Sequence, residues 1–460
     1  MSEARHSAPG PTEPTIAVVG SGPSGCYVGQ FLAKAWPDAE ITVFEALPTP
    51  YGLIRYGVAA DHQGVKAVTR QFDRLFTRGG VRFVGNVSVG RDIAFGQIAE
   101  AFDIVVLATG LPSDQALGIP QDSAGKVVGA GTLLRALNGF PVPILPRDST
   151  GAFASLGHQL VVVGMGNVAV DVVRLLCKGP DGLTGSDIDD DLLRHLCPAM
   201  PRTIDVLSRS TAPNAKFDVA MMRELLALPN IDVSVTGLGS HDGGPAAELL
   251  RPFARGGACT DSARPQSVRV RLHFGSSPCS IERRNGATTV FTSRRDCRDQ
   301  SEFAADTVIT AIGFSSGVAD DQASPTEAWS GPHVYRVGWL SRGAKGTIAE
   351  NRKDAQRVAG AIVADVASGR ITPCRPGFRA LERSLPGQTI DFAGWQRIER
   401  HERGAAAVDR CRRKITDIDT MLSVAARTHS SVAPLSIAAC DNNPAGLART
   451  QRTNDRKAHA

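Results

Sequence analysis

Short, largely apolar runs recur along the chain, separated by longer stretches in which apolar residues return every three or four positions. The runs at 16–19, 41–44, 104–107, 160–163, 203–207, 307–312 and 334–339 predict buried strands of the parallel kind, because a strand covered on both faces has no polar side to show. The longer stretches predict helices over 25–35, 65–77, 168–176 and 347–366. In the second of these, Val65, Val68, Phe72 and Leu75 share a face, while Lys66, Arg70 and Arg74 lie off it. Shorter strands are expected at 82–84, 86–89, 231–235, 268–274 and 288–292. Strand and helix in alternation imply an α/β fold.

Breaks in the pattern divide the chain. Residues 1–14, with Pro9, Pro11 and Pro14, read as a loose arm, and the prolines and glycines of 48–62 exclude regular helix or sheet there. That stretch is expected to be a long shaped loop covering a ligand. A connection rich in Pro and Gly is expected over 111–150, and a cap built on Trp395 and a helix at Met421 and Leu422 after 370. Strand-end turns at Gly110 and Gly313 read as the points where the chain leaves a first domain and returns to it. The expected layout is therefore a discontinuous first domain, 15–110 and 330–426, with a second inserted at 111–329 and a disordered tail at 427–460.

Both domains open on the same device. Gly20, Gly22 and Gly25 follow the first strand with G-x-G-x-x-G spacing, which supplies a tight turn, close backbone approach to a pyrophosphate and close helix-on-strand packing. The next helix points its first amides at the phosphates. Glu45 ends the following strand, twenty residues past Gly25, where a carboxylate can hold ribose hydroxyls. Gly164, Met165, Gly166, Asn167, Val168 and Ala169 repeat the turn after 160–163, with Ala169 in the third glycine's place, as the pattern permits. Here the following strand ends in Ser208-Arg209-Ser210. An arginine at that point suits a 2′-phosphate, so NADP fits better than NAD. Two Rossmann-like dinucleotide-binding domains in one chain suggest an electron relay: NADPH in the second, FAD in the first, hydride passing from nicotinamide C4 to flavin N5, and electrons leaving the flavin singly.

Composition narrows where those electrons go. The chain has 460 residues, 42% hydrophobic and 21% charged, and no apolar run long enough to cross a bilayer, so no integral membrane segment is expected. A net charge of +5 without a basic stretch interleaved with aromatics argues against nucleic acid. Its nine cysteines are never spaced C-x-x-C, which disfavours a redox dithiol, a zinc ribbon or an iron–sulfur cluster. No metal is expected, and the acceptor must come from outside the chain. The N-terminus lacks a signal-peptide core, which makes a cytoplasmic location the default.

Five motifs in this order, GSGPSG (20–25), YGLIRYGVAADH (51–62), GNVSVGRD (85–92), GMGNVAVD (164–171) and GWLSRGAKGTI (338–348), resemble the adrenodoxin reductase family, which includes the mycobacterial-type NADPH:ferredoxin reductases. The resemblance covers 15–426. It implies FAD contacts at Ser24, Glu45, Leu53, Val89 and Trp339, with Gly346, Thr347 and Ile348 meeting the flavin ring at a helix N-terminus. It implies nicotinamide-nucleotide contacts at Met165, Gly166, Asn167 and Val168, and an active-site His62 and Glu224. The implied partner is a ferredoxin-like iron–sulfur protein, docking on a basic face for which Arg55, Arg342, Lys345, Arg352 and Lys353 are candidates.

The departures from the family cluster in the NADP site. Ser210 and Gln115 stand where the family has arginines, and Met221 where it has a glutamate. Losing a charge-assisted contact to phosphate costs about 1.5–3 kcal/mol, so selectivity is expected to be relaxed toward NADH. An alternative reading keeps the flavin but has it act directly on a small organic substrate. The eroded NADP contacts favour that alternative, and the retained His62 and Glu224 favour the relay.

Overall fold

Five parallel strands in the order Val334–Arg336, Ile104–Leu107, Ile16–Val19, Ile41–Phe44 and Arg82–Val84 form a first sheet. The three central strands are buried along their whole length, which is why they read as unbroken apolar runs. Alternation along Ile16–Val19 sends Ile16 and Val18 toward the helices Pro23–Ala35 and Ile348–Ala367, and Ala17 and Val19 toward Ile98 and Phe102 on the other face. The chain is described here by a computed structural model that covers residues 13–254, 267–284, 287–294, 297–317 and 328–427. From residue 428 on, the expected disordered tail lies outside the described residues.

A second parallel sheet has six strands, in the order Val127–Gly129, Thr307–Thr310, Gln159–Val163, Thr203–Ser208, Val268–Phe274 and Ile231–Thr236. The helices Ala130–Leu137, Asn167–Cys177 and Val219–Leu226 cover one face. An antiparallel sheet of Ser276–Arg284, Ala287–Arg294 and Cys297–Ala305 covers the other, packing Ile281, Val290 and Ala305 on Val161, Val163 and Leu207. The segments that pass from one sheet to the other pair as a two-stranded ribbon, Ser113–Asp114 against Phe314–Ser315, and the Gln115 amide donates to the Gly313 carbonyl at 2.9 Å. After the return, the helices Phe392–Gly404 and Ile418–Ala426 pack together on the first sheet's side. Phe392 stacks on Phe76 at 4.9 Å, and Trp395 is buried edge-on to Tyr51. This is the cap anticipated from Trp395 and Met421.

Several elements differ from the pattern-based expectation. The strands Ser276–Arg284 and Cys297–Ala305 carry no apolar run, since each belongs to a small antiparallel sheet. The connection 111–150 holds a strand, Val127–Gly129, and a helix, Ala130–Leu137. Residues 48–62 contain one helical turn, Leu53–Tyr56, entered through Gly52 at φ 48°. The helix expected at 65–77 is two pieces, Gln63–Lys66 and Thr69–Arg78, and Lys66 turns inward to Asn138 and Asp187. Residues 86–89 form no strand: Asn86 has φ 60° and Val89 makes an isolated bridge to Ile93. The strand at 334 ends at Arg336, and Gly338 (φ 75°) opens the helical turn Trp339–Arg342. Among the described residues, no helix is long and apolar enough to cross a membrane.

Candidate functional site

The first glycine-rich loop is held too tightly for side chains except at one point. Gly20 has φ 103°, and a Cβ there would lie 2.6 Å from the Ala108 carbonyl oxygen; one on Gly25 would lie 2.0 Å from the Gly20 oxygen. A Cβ on Gly22 meets nothing within 4 Å, so open space lies before the first turn of the helix Pro23–Ala35. That is the room a pyrophosphate needs at a helix N-terminus. Glu45 Oε2 accepts from the Ser21 amide (3.0 Å) and hydroxyl (2.5 Å), and Oε1 accepts from the Leu47 amide (3.2 Å). Most of the carboxylate's acceptor capacity is thus used to shape the loop. Burial raises the Glu45 pKa, and the Ser21 hydrogen bonds oppose it.

The loop 48–62 folds over this glycine turn. The Tyr51 amide donates to the Ser21 carbonyl at 3.1 Å, Gly52 approaches Gly22, and Tyr51 is held at φ 83°, a left-handed conformation that a bulky residue adopts only under constraint. Leu53 and Val89 are half-buried. Ser24 is nearly buried, and Gly338 is a glycine because a Cβ there would strike Ser24 Oγ at 2.2 Å. Beyond Gly338 the Trp339 ring lies 5.2 Å from Phe314, and its Nε1 is buried without a partner. Gly346 has φ 92°. The Thr347 amide donates to Glu350, which closes a capping box on the helix Ile348–Ala367. An open cradle, a ribose-side carboxylate and an orphaned indole N–H fit an FAD.

In the second loop, Gly164 (φ 116°) lies against the Ala311 carbonyl, and Gly166 is open on its Cβ side. Met165 points into the core, which leaves its backbone for a nucleotide. Asn167 is exposed and accepts from the Asp218 amide (2.6 Å), tying the loop to the helix Val219–Leu226, and Val168 is half-buried. Arg209 is exposed and Gln115 is exposed, while Met221 packs partly on the core. Ser208 is buried and donates to the Ser210 carbonyl.

The two expected active-site residues, 162 positions apart in sequence, come together. His62 Nε2 lies 3.3 Å from Glu224 Oε2, and Nδ1 lies 3.8 Å from Asp171 Oδ1. Behind them, fully buried Arg174 bonds Asp61 through both terminal nitrogens and Asp171 at 2.7 Å, with Nε 3.9 Å from Glu224. Lys178 adds a 2.5 Å contact to Asp61. Burial pushes the Asp61 carboxyl up, but Arg174 and Lys178 outweigh it and hold the pKa at about 2. At Asp171 burial wins and the pKa is raised despite Arg174.

A profile of NAD(P)-binding Rossmann-like domains matches residues 18–75. Cindoxin reductase of Citrobacter braakii is 41% identical over 447 residues, spanning 93% of this chain and 95% of that protein. The chain belongs to the NADPH:ferredoxin reductase family. A probable ferredoxin/ferredoxin–NADP reductase of Mycobacterium leprae is 32% identical across 90% of this chain and 78% of its own length. Among solved structures, Mycobacterium tuberculosis FprA in complex with NADPH matches with a TM-score of 0.78 at 27% identity, over 90% of this chain and all of that one. The resemblance carried by the five motifs and the two-Rossmann fold class are both borne out.

One docking candidate does not survive. Arg55 is 4% exposed, locked to Glu402 at 2.5 Å with its guanidinium over Trp395, so this reductase cannot present it to a partner. Lys345, Arg352 and Lys353 are exposed, and Arg342 is half-buried on Asn351 and Asp354. Sequence reasoning did not single out Asp61, Asp171, Arg174 or Lys178. The available signal was an Asp and an Arg three apart inside the otherwise apolar helix Asn167–Cys177.

Proposed function

We propose that this reductase, FAD-loaded, passes electrons from NADPH to a ferredoxin-type iron–sulfur protein, with residues 15–110 and 330–426 holding FAD, residues 111–329 holding the nicotinamide nucleotide, and the cytoplasm as its location. The observation that carries the reading is the His62–Glu224 contact, in which a residue of the 15–110 segment meets one on the second-sheet helix Val219–Leu226. FAD, when bound, supplies a two-electron acceptor for hydride and a donor of single electrons.

The chain's own residues bind and orient. The amides at the start of Pro23–Ala35 take the FAD pyrophosphate, Glu45 a ribose hydroxyl, and Trp339 Nε1, Gly346, Thr347 and Ile348 the ring side. Gly164, Gly166 and Asn167 take the second pyrophosphate, and Arg209 the 2′-phosphate. His62 Nε2 lies within hydrogen-bond reach of Glu224, whose side chain is half open to solvent, while Nδ1 faces Asp171. Exposed Lys345, just before the helix that Gly346 and Thr347 introduce, and Arg352 and Lys353 on that helix offer positive charge to an acidic partner.

The test is anaerobic: FAD-loaded chain, NADPH and an acidic [2Fe–2S] ferredoxin, followed at the iron–sulfur band. The reading requires NADPH-dependent bleaching that weakens with rising salt. Absence of bleaching, with the flavin reduced by NADPH, would instead favour direct action on an organic substrate.

A further inference from the structure

Residues 409–414 lie between two helices that pack on the first sheet's side, and their polar contacts go both ways. Arg412 reaches Glu399, the Arg413 amide donates to the Glu402 carbonyl and Lys414 to the Arg55 carbonyl, while the others go to the second body. The Asp409 carbonyl accepts from the Gly185 amide (2.7 Å), and the Cys411 amide donates to the Ser186 carbonyl (3.0 Å). Arg410 bonds both oxygens of Asp190, at 2.8 and 3.0 Å, and the Leu183 carbonyl at 3.2 Å. Arg413 reaches Asp191 at 2.8 Å. Lys414 is 2.9 Å from Asp187, whose other oxygen takes Lys66 at 2.7 Å. The run then returns: the Ile415 amide donates to Glu402 Oε1, which also holds Arg55.

A stretch anchored at both ends to one body and bonded along its middle to another limits how the two can rotate. The ribbon at 113–114 and 314–315 is a two-point hinge. Rotation about its own axis is limited by what else spans the halves: Asp61 with Arg174 and Lys178, Lys66 with Asn138, and the run 409–414. Hydride transfer demands reacting atoms about 3–3.5 Å apart, and a misplacement of about 1 Å costs on the order of 100-fold in rate.

We propose that residues 409–414 are a positioning strap that sets the angle between the two nucleotide-bearing sheets, with Arg410 and Arg413 as its anchoring residues on the second. This rests on the relay reading above. It is tested in the FAD-loaded chain carrying Arg410→Ala and Arg413→Ala together, and in the conservative Arg410→Lys, Arg413→Lys pair. These anchors touch the second-sheet segment and neither nucleotide loop, so FAD content is expected to stay at the unsubstituted level.

Two readouts separate the strap from the relay. Amide hydrogen exchange, which needs no nucleotide, is expected to rise by at least about tenfold at residues 57–66 as well as at 183–191 in the alanine pair. The turns that protect the first set, with the His62 amide on the Ala59 carbonyl and the Val65 and Lys66 amides on the His62 carbonyl, are held at the joint by Asp187 through Ala60 and Lys66, and the anchors do not touch 57–66. Single-turnover flavin reduction by NADPH is expected to slow by about 10- to 100-fold with NADP binding little changed, and the lysine pair is expected to recover most of the rate. Exchange that rises only at 183–191, or a reduction rate that stays put in the folded alanine pair, overturns the strap and leaves the relay standing. If the unsubstituted chain is not reduced by NADPH, the relay fails and the exchange result alone decides the strap.

Discussion

Arg174 is the residue on which the joint between the two loops turns. It satisfies Asp61 and Asp171 at once from a fully buried position. Removing one partner of such a cluster leaves uncompensated charge, so Arg174→Gln is expected to cost about 3–5 kcal/mol in a urea unfolding curve. A loss under about 1 kcal/mol would show that the charges are solvated. Asp61 and Asp187 give this cluster and its neighbour a pH signature. Each carboxyl is pushed up by burial but held at about 2 by its cations, Arg174 and Lys178 for Asp61, Lys414 and Lys66 for Asp187. A carboxyl depressed on folding stabilises above its unfolded pKa, near 3.9, and loses that contribution as the pH falls toward 2. Each is worth roughly 2 kcal/mol, and Asp61→Asn should flatten the acid limb of stability between about pH 5 and 2. An unchanged limb would remove Asp61 from the account. The glycines and Glu45 were legible in sequence because their spacing is local. Arg174 was not, because its partner Asp61 lies 113 positions away.

At the scale of elements, two helical glycines face opposite demands. Gly25→Ala places a Cβ 2.0 Å from backbone, whereas Gly64, exposed in the short helix Gln63–Lys66, has nothing within 4 Å. Gly25→Ala is expected to purify without FAD, read from the flavin absorbance. Gly64→Ala should keep FAD and gain about 0.5–1 kcal/mol. Retention of FAD by Gly25→Ala would mean that the helix and strand separate more easily than their contacts imply. The buried parallel strands were readable because both faces are apolar. Ser276–Arg284 and Cys297–Ala305 were not, because an antiparallel strand with one open face carries Arg, Glu and Asp freely. The helix at 65–77 misread its own interruption, since Lys66 looks like a surface residue until Asn138 and Asp187 are in place to receive it.

For the whole molecule, two sheets, a paired crossing and a C-terminal run that returns across the joint bring His62, of the loop that folds over the first glycine turn, against Glu224, of the helix tied to the second. Ser210, Gln115 and Met221 carry no positive charge, and the proposed function assigns the discrimination between NADPH and NADH to Arg209. Arg209→Ala is expected to weaken NADPH by about 1.5–3 kcal/mol while leaving NADH nearly unchanged, read as apparent dissociation constants for flavin reduction. Equal losses for both nucleotides would assign Arg209 to general binding. The relay itself is tested most directly by anaerobic stopped-flow reduction of the FAD-loaded chain, followed at the flavin absorbance band, with NADPH and NADH titrated separately. Rapid bleaching that saturates at lower concentration with NADPH than with NADH is the predicted result. A flavin that stays oxidised with both nucleotides would contradict the account.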